Sequence, residues 1–88
     1  MPTTHYIQDL AAVFSRIKNE EMAENILRNI LTPKELEEIS KRLQIFKMLK
    51  AGTSQREIAK KLKVSIGTVS RGSRELQYGP PGFKNLII

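Results

Sequence analysis

Cysteine is absent from all 88 residues, so neither a disulfide nor a cysteine-based zinc site can hold this chain together. Strand signals are almost as scarce. No apolar run approaches the roughly 20 residues of a membrane span, and the opening stretch MPTTHYIQDLAAVF has neither the basic leader nor the cleavage signature of a secretory peptide. There is no P-loop, no Gly-x-Gly-x-x-Gly and no nucleophile paired with a base; the one histidine, His5, lies near the terminus and offers no metal site or general base. These absences predict a soluble, cytoplasmic protein that is not an enzyme, holds no metal and has no membrane partner. A chain this short buries only about two-thirds of its unfolded surface. Additional core is therefore expected from a second chain.

Acidic residues are the next scarcity, and it is local. Residues 1–50 hold eight Lys/Arg against seven Asp/Glu, whereas residues 51–88 hold seven against two, so the carboxy-terminal part carries +5 of the net +6. A focused positive field suits a polyanion, with nucleic acid the first candidate.

What is present is helical periodicity. Ile7, Leu10, Ala11, Phe14 and Ile17 recur at three and four, with Thr3 or Thr4 as a cap, and Met22, Ala23, Ile26, Leu27 and Ile30 repeat the pattern. The third helix has the best-marked start: Thr32 caps, Pro33 takes the first position and Glu35 completes a Thr-x-x-Glu capping box, with Leu31 and Leu36 at staple spacing. Leu36, Ile39, Leu43, Phe46 and Met48 or Leu49 then form an apolar face that runs about five turns, to Gly52.

The segment TSQREIAKKLKVSIGTVSR carries the main motif. Ser54-x-x-Glu57 is a second capping box and opens a helix of about two turns, Lys63, Val64 and Ser65 make a short turn, and Ser65 caps a new helix with Ile66 and Val69 facing inward. Ala59 is small where the two backbones approach, Val64 plugs the turn, and Ile58, Leu62 and Val69 close the wedge. This is the pattern of a helix-turn-helix, although Lys63 stands where glycine is usual and Gly72 where an apolar residue is common. The expected DNA-binding residues are Gln55, Arg56, Lys60, Ser65, Ile66, Gly67, Thr68 and Ser70, with Arg56 reading guanine and Lys60 on phosphate.

Four motifs in order, LTP at 31–33, RLQI at 42–45, SQRE at 54–57 and TVSRGS at 68–73, make the chain resemble the bacterial Trp repressors. One residue is missing between Gly52 and Ser54 relative to that family's pattern. The resemblance implies an all-α protein of about six helices per subunit, forming an intertwined homodimer that presents two helix-turn-helix units to double-stranded DNA. The expected division within one domain, 1–88, is dimerisation and core helices in 1–52, the helix-turn-helix in 53–77 and a short carboxy-terminal helix in 78–88. It also implies an amino-acid corepressor, L-tryptophan, at Thr32, Arg42, Thr68, Arg71 and Gly72. Two guanidinium planes, Arg42 and Arg71, can sandwich a flat ring and pair with a carboxylate.

Glu75 departs from the family, whose tryptophan-sensing members have a small hydroxyl residue three positions after the glycine. It could accept from a ligand ammonium, pair with Arg71 and block a carboxylate, or recognise another ligand. The tail is expected to stop the reading helix at Tyr78, Gly79, Pro80, Pro81 and Gly82, and to pack Phe83, Leu86, Ile87 and Ile88 on a dimer partner. The function these features predict is a sequence-specific transcriptional repressor on a roughly palindromic operator, gated by L-tryptophan or a similar small ligand. The alternatives are a constitutive DNA-binding regulator of the same fold, and a protein-interaction module that docks through its helix-turn-helix.

Overall fold

The computed structural model describes residues 2–80 and 82–87, with Pro2 and Phe83 as backbone only. Pro81, Ile88 and the side chain of Phe83, all part of the expected tail, lie outside the described residues. Among the described residues there are six helices and no strand: α1 (Pro2–Phe14), α2 (Glu20–Ile30), α3 (Pro33–Lys50), α4 (Gln55–Leu62), α5 (Ile66–Tyr78) and α6 (Phe83–Leu86). The fold is all-α, as the periodicity and the resemblance both imply. The chain separates into two compact units, Met1–Leu36 and Glu37–Ile88.

In the first unit, α1 begins at Pro2, so Thr3 and Thr4 lie inside its first turn and neither is the cap. Proline at the first helical position loses an amide that would be unpaired there anyway. The helix also stops short of Ile17. The Arg16 and Ile17 amides reach back only three residues, to the Val13 and Phe14 carbonyls, which tightens and ends the helix. Asn19, unmarked in the sequence reading, caps α2 by accepting from the Met22 amide at 2.8 Å. No residue of α2 is buried, and Tyr6, Ile7, Leu10, Val13, Met22 and Ile30 are all exposed within the single chain.

The start of α3 forms as its sequence predicts. The Thr32 amide donates to Glu35 Oε1 at 2.8 Å, and the Glu35 amide donates to Thr32 Oγ1 at 3.1 Å. At its other end the Gly52 amide donates to Leu49 and the Thr53 amide to Met48, a Schellman closure that needs the left-handed φ of +88° at Gly52.

The core of the second unit is Ile45, Ile58 and Val69, with Met48, Leu49, Ala59, Leu62 and Val64 packed around them; Phe46 and Ile87 are buried as well. This corrects the predicted face of α3. Ile39 and Leu43 are exposed, while Ile45, not foreseen as core, is buried. At 100° per residue Ile45 lies about 240° round the helix from Ile39, so α3 has two apolar sides; on the Ile39 side the fold of one chain buries Phe46 but leaves Ile39 and Leu43 exposed.

The helix-turn-helix forms where predicted. Ser54 accepts from the Glu57 amide at 3.2 Å, which makes one half of the expected second capping box, and Ser65 accepts from the Thr68 amide at 3.1 Å. Between the two helices Lys63 adopts φ 57°, ψ 46°, and its amide and that of Val64 both donate to the Ala59 carbonyl. Thus the place where glycine is usual does take the left-handed conformation, at a cost glycine would avoid.

The tail departs from expectation in part. Tyr78 belongs to α5, which ends at Gly79. Leu86 is exposed, but Ile87 is buried within its own chain, and Lys50 Nζ donates to the Lys84 and Ile87 carbonyls, each at 2.7 Å. This one ammonium caps the four-residue helix α6 from the end of α3.

Lys63→Gly should stabilise the protein by about 0.5–1 kcal/mol, the relief of left-handed strain exceeding the added freedom of the unfolded chain, as read from urea unfolding midpoints. The Thr32 amide first, and its hydroxyl second, hold the Glu35 carboxyl below its ordinary value. A depressed carboxyl stabilises above its unfolded pKa and loses that contribution as pH falls through the folded one. The stability difference between the parent and Glu35→Gln should therefore shrink as pH falls below the ordinary range of a glutamate carboxyl.

Candidate nucleic-acid interface and ligand cleft

Helices α4 and α5 are held together by burial of Ile58 and Val69, so their outward residues are presented on a fixed frame. On that frame Arg56, Lys60, Ser65, Ile66 and Gly67 are exposed, while Gln55, Thr68 and Ser70 are half-buried. Ile66 is 53% exposed, which corrects its inward assignment and leaves an apolar side chain on the outer face at the start of α5. Lying just after the cap, it precedes the turn that packs through Val69.

The polar members are not equivalent. Ser65 and Thr68 are joined at 2.8 Å between their hydroxyls as well as through the cap, so both are engaged in starting α5. Ser70 donates to Gln55 Oε1 at 2.8 Å, linking α5 to α4. Arg56 and Lys60 supply free-standing charge on α4, which suits phosphate and guanine contacts.

Gly67 and Gly72 differ in what surrounds them. A Cβ on Gly67 would meet only Ser65 Oγ, at 3.8 Å, leaving that side of the helix clear. A Cβ on Gly72 would lie 2.9 Å from Ile45 Cγ2, with Phe46 and Leu49 just beyond. Gly72 is buried because α5 rests directly on α3 there. The apolar residue common at this position of a helix-turn-helix would not fit.

The contact between α3 and α5 also bounds a cleft of about 910 Å³. Five of the six expected ligand residues, Arg42, Thr68, Arg71, Gly72 and Glu75, line it; the sixth, Thr32, caps α3 within the amino-terminal unit. Ile45, Phe46 and Val64 give the cleft an apolar floor. Its charged wall is Glu38, Lys41, Arg42, Arg71 and Glu75. Such a mixture suits a ligand with a flat apolar body and charged groups at its edge. Glu38 and Lys41 were missed in the sequence, though their three- and four-residue spacing about Arg42 and Ile45 places them on the same side of α3. Pro80, which also lines the cleft, carried no signal, since it reads only as a helix stop.

Taken together, the second unit is a helix-turn-helix mounted on a long helix, with a ligand-sized cleft at the joint. The profile of the Trp repressor protein family matches residues 5–88, and the chain belongs to that family. It is 35% identical over 79 residues to the Trp operon repressor homolog of Pasteurella multocida (strain Pm70), covering 89% of this chain and 74% of that one. Identity to the homolog of Mannheimia succiniciproducens is 36% over 85 residues, 96% of this chain and 80% of the relative. A shorter match, 45% over 53 residues, joins it to the homolog of Xylella fastidiosa (strain M23), with 59% and 58% covered. No solved structure matches significantly. The chain is thus a regulator of the Trp-repressor type, and no helix among the described residues is long and apolar enough to cross a membrane.

The two glycines should respond oppositely to alanine. Gly72→Ala should destabilise by about 1–2 kcal/mol, because the overlap with a buried β-branched side chain outweighs the gain in helix propensity. Gly67→Ala should be neutral or stabilising by up to about 0.5 kcal/mol. Thermal unfolding of the pair checks both.

Proposed function

We propose that the protein is a homodimeric, sequence-specific DNA-binding repressor whose operator affinity is gated by L-tryptophan or a similar small ligand in the α3–α5 cleft. The observation that carries this reading is the helix-turn-helix itself, with Arg56 and Lys60 exposed on α4 and the Gly67 side of α5 open. Helices of this arrangement place the second helix in the major groove, and the Trp repressor is itself among the type examples of that docking. Seven basic residues against two acidic ones in 51–88 supply the phosphate attraction.

Homodimer formation is supported by the exposed apolar residues of α1 and α2 and by the exposed Ile39 and Leu43 of α3. So large an apolar exposure is unusual for a monomer. Tryptophan gating is supported by the apolar floor of the cleft and by Arg42 and Arg71 in its wall. Glu38 and Glu75 in the same wall favour a second reading, a constitutive DNA-binding regulator, since carboxylates there compete for the two guanidinium groups that a ligand carboxylate needs.

Selection of duplex sites from a random library, followed by affinity measurements with and without L-tryptophan, separates the readings. Gating predicts tighter operator binding at saturating tryptophan, by about 5-fold or more. Unchanged affinity removes tryptophan as the gating ligand and favours the constitutive regulator. In either case affinity should fall steeply with salt, and Arg56→Ala should cost about 1–3 kcal/mol and relax preference at one guanine of each half-site. A shallow salt dependence on duplex DNA would point instead to a protein-docking module.

A further inference from the structure

The Ser70–Gln55 hydrogen bond has a chemical consequence for base reading, and it rests on the DNA-binding function proposed above. A glutamine amide has two distinct ends: an oxygen that only accepts and a nitrogen that only donates. Free to rotate, it presents both ends to adenine, accepting from N6 and donating to N7. In this chain the oxygen is held: Ser70 Oγ donates to Gln55 Oε1 at 2.8 Å, from a half-buried hydroxyl fifteen residues away on the neighbouring helix. One of the oxygen's two lone pairs is taken and its direction is fixed toward Ser70, so the amide nitrogen with its two hydrogens is the end left free.

The two residues also bridge the two halves of the reading head. Gln55 is the first residue of α4, just after the Ser54 cap, and Ser70 lies one residue beyond the buried Val69 of α5. Both backbones are fixed by that packing, so the hydroxyl arrives at a defined place. Fixing the rotamer before binding also removes the entropy that a free glutamine loses on contact.

We propose that Ser70 orients the Gln55 side chain as a hydrogen-bond donor, so that Gln55 reads the acceptors O6 and N7 of guanine in the major groove and discriminates against adenine. Arg56, the adjacent residue, has only donors. Gln55 and Arg56 then both offer donors alone, and the half-site they select should carry two guanines within reach of the start of α4. Ser70 is a positioning residue in this scheme, with no base contact of its own required.

The test uses the full-length protein in parallel site selections from a randomised duplex library, with Gln55→Ala identifying the position Gln55 reads. At that position the parent should prefer guanine over adenine by roughly tenfold. Ser70→Ala should reduce that ratio to about twofold or less by releasing the amide, while Ser70→Thr, which keeps the hydroxyl, should retain it. A merely structural loss would weaken all sites alike and leave the ratio untouched. Adenine at that position in the parent, an unchanged ratio in Ser70→Ala, or a Gln55→Ala variant weakened uniformly on every sequence, as for a phosphate contact, would each overturn the assignment while leaving DNA binding intact. Failure of the parent to select any duplex would overturn both.

Discussion

The close approach of α5 to α3 at Gly72 governs the second unit. With no side chain at that point, Ile45 fits directly against the backbone of α5, and the burial of Ile45, Val69 and Ile58 becomes one continuous core. The same approach sets the depth of the cleft, because its floor is made of the residues that flank the contact. A larger residue would lift α5 from α3 and move the outward face of the helix-turn-helix with it. The placement of that outward face and the space in the cleft are thus consequences of one packing distance.

Around that contact the short helices are set by local devices. Ser54, Ser65 and Thr32 satisfy amides at helix starts, while Gly52 and Lys63 turn the chain through left-handed residues at helix ends. None of these contributes much apolar burial. Their effect is to fix where each helix begins, which decides that Arg56 and Lys60 share an exposed face while Ile58 does not.

Most of this was legible in the sequence because caps and periodicity are local. The Thr32–Glu35 box, the Ser65 cap and the wedge of Ile58, Leu62 and Val69 all act over a few residues, and they formed as read. Ile45 was missed because the periodic face through Ile39, Leu43 and Phe46 lies on the other side of α3, where a single chain buries Phe46 and leaves Ile39 and Leu43 exposed. Gly72 was read for ligand access, yet its tightest neighbour is Ile45, a contact that depends on how two distant helices meet. Pro80 in the cleft and the Ser70–Gln55 bond were likewise hidden, since each joins residues brought together only by tertiary packing. Glu75 lines the cleft three residues after Gly72, one turn along the same helix, a spacing the sequence already displays.

The ammonium of Lys50 has a bearing on the order in which the chain assembles. Four residues cannot nucleate a helix unaided, because the first turn fixes several dihedrals for a single hydrogen bond. The carbonyls of Lys84 and Ile87 find their donor 34 and 37 residues back, at the last residue of α3. α6 is therefore a templated element: it forms on an α3 that already exists and dissolves when the last turn of α3 opens. The last turn of α3 and the four residues of α6, far apart in sequence, are thereby joined through one side chain.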